Sequence, residues 1–191
     1  MKWNTHIDAT TAKANSMLGF LRRNLGSAPK RVKLQAYQCL VRPHLDYCGS
    51  VWDPFTATNK HKIEMVQRRA ARFITNNYSW DNTTSVTALL QQLGLPTLEE
   101  RRYIQRLTNF HKIINSQMDV KLPPEIVTRK SEIITRRSKP NYLQVPFTSI
   151  KSHKHSFFIK TSHDWNDLPQ HITNIAETKQ FTEALRSFKG Q

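Results

Sequence analysis

Apolar residues recur at steps of three and four along most of the first 116 residues, and this spacing constrains the fold more than any other feature. Steps of three and four place side chains on one face of an α-helix, whereas a half-buried strand would alternate at every second position. The pattern predicts a first helix over residues 5 to 25 that ends at Gly26. Its expected buried face consists of Ile7, Thr11, Ala14, Met17, Leu18, Leu21 and Leu25.

The second helix is predicted from residues at the first corner of the chain. Ser27 suits an N-cap and Pro29 an early helical position, because proline lacks the N–H that the first turn leaves unpaired. Pro43 is expected to kink or end this helix. Its expected apolar face consists of Val32, Ala36, Tyr37, Leu40 and Val41.

Three further helices are predicted before residue 117. The third spans about residues 58 to 76, and the fourth runs from residue 84 or 85 to a stop at Gly94. The fifth starts at the capping box Thr97-Leu98-Glu99-Glu100 and reaches about residue 116. In a capping box the Thr hydroxyl and the Glu carboxylate each satisfy a backbone N–H that the first turn leaves free.

The helical signal fades after residue 116. Four of the nine prolines lie in a basic stretch over residues 117 to 150, where no periodicity favours helix or strand. Helical spacing returns around Trp165 and again around Phe181. We therefore expect an all-α fold with three parts: a bundle of about five helices over residues 1–116, an irregular basic linker over 117–150, and a small C-terminal helical module over 151–191.

Basic residues outnumber acidic ones by two to one. The chain has 29 Lys and Arg against 14 Asp and Glu, a formal net charge of +15. Residues 101–163 hold 13 basic and 3 acidic side chains, a difference of +10, whereas residues 164–191 hold 3 and 4. Such a surface attracts polyanions. Nucleic acid is the first expected partner, and a purely solubilising charge is the bland alternative. A membrane surface is the third possibility, but no helix combines bulky apolar anchors with a lysine-rich rim, so no membrane partner is predicted.

Three clusters of basic residues are candidate contacts for nucleic-acid phosphates. A helical wheel over residues 60–75 places Arg68, Arg69 and Arg72 opposite the apolar face, about one turn apart. Guanidinium groups in this arrangement can bridge phosphate oxygens with paired N–H donors. The other two clusters lie in the fifth helix and around the first corner, and their members are Arg101, Arg102 and Arg106, and Arg22, Arg23, Lys30, Arg31 and Lys33.

Each cluster also has a purely structural interpretation. The arginines of the third helix can be solvated or can pair with Glu64 and Glu100, and Glu99 with Glu100 can neutralise part of the cluster at 101–106. No zinc finger, RNA-recognition signature or base-reading motif occurs. Any binding is therefore expected to address the RNA or DNA backbone without sequence specificity.

The sequence predicts no catalytic site, metal site, cofactor or small-molecule substrate. It lacks an Asp-Asp pair for two metal ions, a Gly-rich phosphate loop and a nucleophile elbow. Cys39, His44 and Cys48 lack both zinc-ligand spacing and a fourth ligand. Two cysteines, no leader and no apolar run of membrane-spanning length favour a nuclear or cytoplasmic protein that is neither secreted nor transmembrane.

Several short motifs occur in an order and spacing that one enzyme family shares. Near the start are Trp3-Asn4-Thr5-His6-Ile7 and Leu40-Val41-Arg42-Pro43-His44-Leu45-Asp46-Tyr47, followed by Val51-Trp52-Asp53-Pro54. Residues 66–73 (VQRRAARF), residues 93–102 and the late Trp165-Asn166-Asp167-Leu168-Pro169 come next. Together these resemble the C-terminal part of reverse transcriptases from jockey-like non-LTR retrotransposons, the LINE elements.

The resemblance implies that residues 1 to about 116 correspond to the helical thumb and the segment after it. In that family the thumb grips the template–primer duplex, while fingers and palm, with the catalytic aspartates, would lie upstream of Met1. The resulting expectation is a non-catalytic fragment of an RNA-directed DNA polymerase that binds template–primer backbone and docks with the missing fingers and palm. The alternative is a structural docking module, or a domesticated or relic fragment without independent activity.

Overall fold

The structure is a computed structural model that describes residues 3–78, 85–128 and 142–189. Helices dominate these residues, which confirms the predicted all-α class. The chain divides into two compact units, Met1–Arg102 and Tyr103–Gln191. The division thus falls inside the fifth predicted helix, 14 residues before the predicted boundary at 116, because most of that helix packs with C-terminal residues.

The N-terminal unit is built from helices joined by short turns. The elements are α1 (Asn4–Asn24), α2 (Lys30–Ala36), a π-helical turn (Tyr37–Val41), α3 (Arg42–Asp46), α4 (Gly49–Trp52), α5 (Ala57–Thr75), α6 (Val86–Gln92) and the first turn of α7 (Leu98–Ile114). They match the predicted helices to within about three residues, except that the second is broken into several pieces.

Side chains and special backbone angles fix the ends of α5, α6 and α7 where the sequence predicts them, whereas the predicted N-cap Ser27 does not cap α2, whose N-cap position is Pro29. The hydroxyl of Ser85 accepts a hydrogen bond at the start of α6, and that of Thr97 accepts one from the Glu100 N–H at 3.1 Å at the start of α7. Gly94 follows α6 with a φ of 62°, and Asn76 ends α5 with a φ of 54°. Both adopt the left-handed conformation that glycine and asparagine tolerate best.

The second helix differs from its prediction in which face is buried. Val32 and Leu40 were expected in the core, yet they are 43% and 44% exposed, and Lys33 is buried instead. Lys33 lies one regular turn before the buried Tyr37 and shares its face, whereas Val32 does not. The π-helical turn acts later, since its wider turn keeps Tyr37, Val41 and Leu45 on one face at steps of four.

The C-terminal unit is formed by the remainder of α7 and the end of the chain. After α7 come β1 (Val127–Thr128), β2 (Leu143–Gln144), α8 (Lys151–Lys154), α9 (Phe157–Asp167), α10 (Gln170–Thr173) and α11 (Thr178–Lys189). Their shared core consists of Leu107, Phe110, Ile126, Leu143, Ile159, Trp165, Leu168, Ile172, Phe181 and Leu185.

The segment predicted as an irregular linker contributes to this core where it is described. β1 and β2 pair antiparallel, with Val127 opposite Gln144 and Thr128 opposite Leu143. The side-chain amide of Asn166 in α9 continues the pairing, since its Oδ1 accepts from the Leu143 N–H at 2.9 Å and its Nδ2 donates to the Leu143 carbonyl at 2.8 Å. One side chain thus satisfies both backbone groups of β2's first residue.

Candidate nucleic-acid interface

Helix α5 presents the arginines of "VQRRAARFI" away from its buried face. Its inward positions are the ones that the helical wheel predicted: Ile63, Val66, Ala70, Phe73 and Ile74 are all buried. Arg69 is exposed, and Arg68 and Arg72 are half-buried. All three arginines therefore have at least part of their surface open to solvent.

Helices α1 and α5 lie side by side and run in the same direction. Asn59 Nδ2 donates to Asn4 Oδ1 at 2.9 Å, and Arg69 Nη1 donates to Asn15 Oδ1 at 3.2 Å. The residue numbers of the two partners rise together, so the helices are parallel and both end on the same side of the unit.

This arrangement brings the last turn of α1 next to the arginines of α5. Arg22 Nη2 donates to the backbone carbonyl of Arg69 at 3.2 Å, and both Arg22 and Arg23 are exposed. The carbonyl ends of two parallel helices carry partial negative charge, which basic side chains in the last turn complement. The two clusters, 47 residues apart in sequence, thus form one surface.

Lys33 connects the start of α2 to the end of α5 and is itself buried. Its Nζ donates to Asn76 Oδ1 at 2.6 Å and lies 5.0 Å from the centroid of the Phe73 ring. An ammonium group held by an amide oxygen and an aromatic face is part of the packing, so we leave Lys33 out of the interface. Lys30 and Arg31, in the same turn of α2, are exposed.

We call the resulting surface the basic corner. It comprises Arg22, Arg23, Lys30, Arg31, Arg68, Arg69 and Arg72. The sequence contains no Asp or Glu between residues 9 and 45 or between 65 and 80, the two segments that supply all seven side chains. Within the described residues, none of the seven forms a salt bridge.

The predicted cluster in α7 has a different environment, because each arginine is paired with an aspartate. Arg101 reaches Asp46 with Nη2 at 2.6 Å and Nε at 3.2 Å. Arg102, whose side chain is 1% exposed, donates from Nε to Asp53 Oδ1 at 2.9 Å. Both pairs stabilise the N-terminal unit internally, so we exclude Arg101 and Arg102 from the interface.

Arg106 behaves in the same way within the C-terminal unit. It is buried, pairs with Asp164 and lies 5.8 Å from the centroid of the Tyr103 ring. Burial, reinforced by the Asp164 charge, raises the pKa of Tyr103 to about 12, so this phenol stays neutral. Arg106 is therefore also a packing residue.

Glu99 and Glu100 were the expected partners of this cluster, and the aspartates were not predicted. The partners lie 49 to 58 residues away from the arginines, a distance that helical spacing cannot predict. One local signal does mark them. Asp46, Asp53 and Asp164 each stand beside a buried apolar residue, so their carboxylates are held at the edge of a core.

Glu64 provides a further electrostatic element at the start of α7. Its Oε1 accepts a hydrogen bond from the Glu99 N–H at 2.9 Å, which satisfies a backbone donor of the first turn. Burial raises the pKa of Glu64 above its ordinary value, although this hydrogen bond and the charge of Arg102 act in the opposite direction. The Glu64 carboxylate on α5 thus caps the first turn of α7, and its partial burial makes the charged form less favourable.

The described residues offer no other obvious functional centre. They contain no group of three or more His, Cys, Asp or Glu arranged to hold a metal ion, and the cysteines Cys39 and Cys48 are both exposed and unpaired. None of the helices described is long and apolar enough to cross a membrane.

Comparison with known proteins gives no independent assignment. No protein-family model matches this sequence, and neither curated proteins nor solved structures include one that is significantly similar to it.

Proposed function

We propose that this chain is a non-catalytic nucleic-acid-binding part of an RNA-directed DNA polymerase, and that the basic corner contacts the sugar–phosphate backbone. The observation that carries the proposal is charge segregation. Seven cations from α1, α2 and α5 lie in two segments that contain no Asp or Glu, whereas the three arginines of α7 are each paired with an aspartate.

Arginines that are paired with a carboxylate and arginines that are not should differ in how well they bind phosphate. A guanidinium already paired with a carboxylate gains little from a phosphate, because the existing pair must first be broken. An exposed guanidinium without an acidic neighbour can bind phosphate and release the counterions condensed on the nucleic acid. None of the seven cations of the basic corner forms a salt bridge within the described residues; five are exposed, and Arg68 and Arg72 are half-buried.

The polymerase part of the proposal rests on the motif resemblance. If residues 1 to about 116 correspond to the thumb and the segment after it, the basic corner is the part of this chain suited to grip the template–primer backbone. Such contacts position a duplex without reading its sequence. The fingers and palm of that polymerase are then the protein partner.

The test is fluorescence anisotropy with a primed RNA–DNA hybrid, titrated over a range of salt concentrations. Arg68, Arg69 and Arg72 are replaced together by Gln. The matched control replaces Lys60, Lys62 and Arg101 by Gln, which removes the same three charges from side chains that are already paired with Glu99, Asp8 and Asp46. The control therefore separates the effect of where the three charges lie from the effect of the lower net charge.

We expect affinity to fall linearly with salt on a double-logarithmic plot. Loss of three phosphate contacts should reduce the slope by about 2 to 3, at roughly 0.7 to 0.9 per phosphate, whereas the control should change it by less than one. Equal reductions in both variants would mean that only net charge matters. An unchanged slope in the Arg68/Arg69/Arg72 variant would rule out the basic corner.

The alternative proposal, a structural docking module, is supported by a different surface. Tyr47 and Val51, on either side of the turn between α3 and α4, are 76% and 59% exposed, and Leu40 is 44% exposed. Large apolar side chains exposed close together often mark protein contacts. Under this proposal, Tyr47→Ser with Val51→Ser should weaken co-purification with the parent polymerase's palm, while nucleic-acid affinity stays unchanged.

A further inference from the structure

The most exposed large apolar side chain of the described residues is Phe147, in the loop between β2 and α8. It is 96% exposed, whereas Val145, two residues earlier, packs against the core of the C-terminal unit. Ile150, which directly precedes α8, is 63% exposed. The loop is therefore anchored to the unit at its start and presents an aromatic ring to solvent.

This loop is folded back on α8. The ring Nδ1 of His153 lies 3.1 Å from the Thr148 hydroxyl, and the same hydroxyl accepts a hydrogen bond from the Ile150 N–H at 3.3 Å. Phe147 and Lys154 are the chain neighbours of the two side chains in contact. The phenyl ring and the ammonium group thus lie close enough for one short strand to reach both.

The segment that carries this ring has only positive charges. Residues 133–163 contain no Asp or Glu, and they include Lys151 and Lys154, which lie in α8 and are exposed. The next acidic residue along the chain is Asp164, and its carboxylate is paired with Arg106. A chain of phosphates therefore meets cations and no carboxylate from this segment.

An exposed aromatic ring beside cations forms a platform for single-stranded nucleic acid. The bases of a single strand are free to stack on the ring, while the cations bind the phosphates between them. A duplex keeps its bases stacked on one another, so it cannot use the ring. A membrane surface would need a wider apolar face, whereas α8, with the sequence KSHK, is polar on all sides.

We propose that this segment binds single-stranded RNA or DNA, with a base stacked on Phe147 and neighbouring phosphates held by Lys151 and Lys154. The site lies in the C-terminal unit and does not depend on the basic corner of the N-terminal unit. Its ligand differs as well, because it requires open bases and not only a sugar–phosphate backbone.

The test is fluorescence anisotropy of the full chain with a labelled oligothymidylate of about ten nucleotides, a length that small single-strand-binding domains cover. An oligouridylate of the same length is titrated in parallel and distinguishes an RNA ligand from a DNA ligand. A third oligonucleotide carries abasic sites throughout, so it keeps the phosphates and lacks the stacking partner. We expect it to bind at least about fivefold more weakly than the better of the other two.

Variants of the ring separate this site from the basic corner. Phe147→Ser should weaken single-strand binding at least about fivefold and leave the affinity for a blunt RNA–DNA hybrid unchanged, also when Arg68, Arg69 and Arg72 are Gln. Phe147→Trp keeps a stacking ring and should retain the affinity, whereas Phe147→Leu should not. The control is Tyr47→Ser, which removes a ring that is 76% exposed beside an aspartate, and it should change neither affinity.

Variants of the lysines test the phosphate contacts. Lys151→Gln with Lys154→Gln should reduce the salt slope for the single strand by about 1.4, at roughly 0.7 per phosphate. The matched control, Lys60→Gln with Lys62→Gln, removes the same two charges from side chains that are paired with Glu99 and Asp8. It should change the slope by less than about 0.5.

Three outcomes would overturn the proposal. Phe147→Ser could bind both single strands as tightly as the unmodified chain does, which would mean that no base stacks on the ring. Phe147→Leu could bind as tightly as Phe147→Trp, which would mean that any apolar side chain suffices. Finally, Phe147→Ser could abolish flotation with phosphatidylserine vesicles and leave oligonucleotide binding intact, which would assign the segment to a membrane surface.

Discussion

At the scale of single residues, the main contrast is between arginines that are held by a carboxylate and arginines that are not. Arg102 is the extreme case. Its side chain is 1% exposed, its Nε is bound to Asp53, and neither Nη1 nor Nη2 has another partner among the described residues. Removing one member of a buried pair leaves an uncompensated charge, which typically costs about 3 to 5 kcal/mol.

We therefore predict that Asp53→Ala lowers the free energy of unfolding by about 3 to 5 kcal/mol, measured by urea denaturation. Asp8→Ala serves as the control, because its pair with Lys62 is exposed on both sides and should contribute less than about 1 kcal/mol. Adding Arg102→Met to Asp53→Ala should restore most of the loss. Equal effects of the two Asp variants would mean that Arg102 is satisfied in another way.

At the scale of elements, α7 depends on a carboxylate supplied by α5. Glu64 caps the first turn of α7, and burial raises its pKa above the ordinary 4.5. The folded state consequently binds the Glu64 proton more tightly than the unfolded chain does. The contribution of Glu64 to the free energy of unfolding is therefore largest at low pH, and it decreases as the pH rises through the raised pKa.

We predict that Glu64→Gln, which keeps the acceptor but cannot ionise, gains stability relative to the unmodified protein as the pH rises above about 4.5. Urea unfolding curves between pH 4 and pH 7 measure this difference. Glu64→Ala, which also removes the acceptor, should be less stable than Glu64→Gln at every pH by about 1 kcal/mol. A difference that is constant or shrinks with pH would contradict the assignment.

The elements also show how far sequence reasoning extends. The faces of α1, α5 and α11 were predictable, because a regular helix buries positions at fixed spacing and a cap or glycine marks its end. The face of the second helix was predicted wrongly, since the buried positions Lys33, Tyr37, Val41 and Leu45 follow steps of four through a π-helical turn, whereas the prediction included Val32 and Leu40. Local periodicity carries no information about such an insertion.

The candidate interface shows the same limit. The arginines of α5 lie outside the core as the helical wheel predicts, and their position depends only on neighbours along one helix. The fates of Lys33, Arg102 and Arg106 depend on Asn76, Asp53 and Asp164, which are 43 to 58 residues away. Only tertiary packing distinguishes a cation that stays at the surface from a cation that is paired and stabilises the fold.

At the scale of the whole molecule, the division between the units falls within one continuous helix. The first turn of α7 contributes Leu98 to the N-terminal core, and the later turns contribute Leu107 and Phe110 to the C-terminal core. Truncating a buried Leu or Phe typically costs about 2 to 5 kcal/mol. The loss of both together is comparable to the entire stability of a small domain.

We therefore predict that a fragment of residues 103–191 folds, whereas one of residues 117–191 does not. The shorter fragment starts at the predicted boundary and lacks Leu107 and Phe110, so Trp165 and Phe181 lose neighbours in the core. Circular dichroism with urea unfolding should give a cooperative transition only for the longer fragment. Phe110→Ala in the longer fragment is the control, and it should lower the midpoint of that transition. Cooperative unfolding of residues 117–191 with the same midpoint as residues 103–191 would show that α7 is dispensable for the C-terminal core, and would restore the boundary at residue 116.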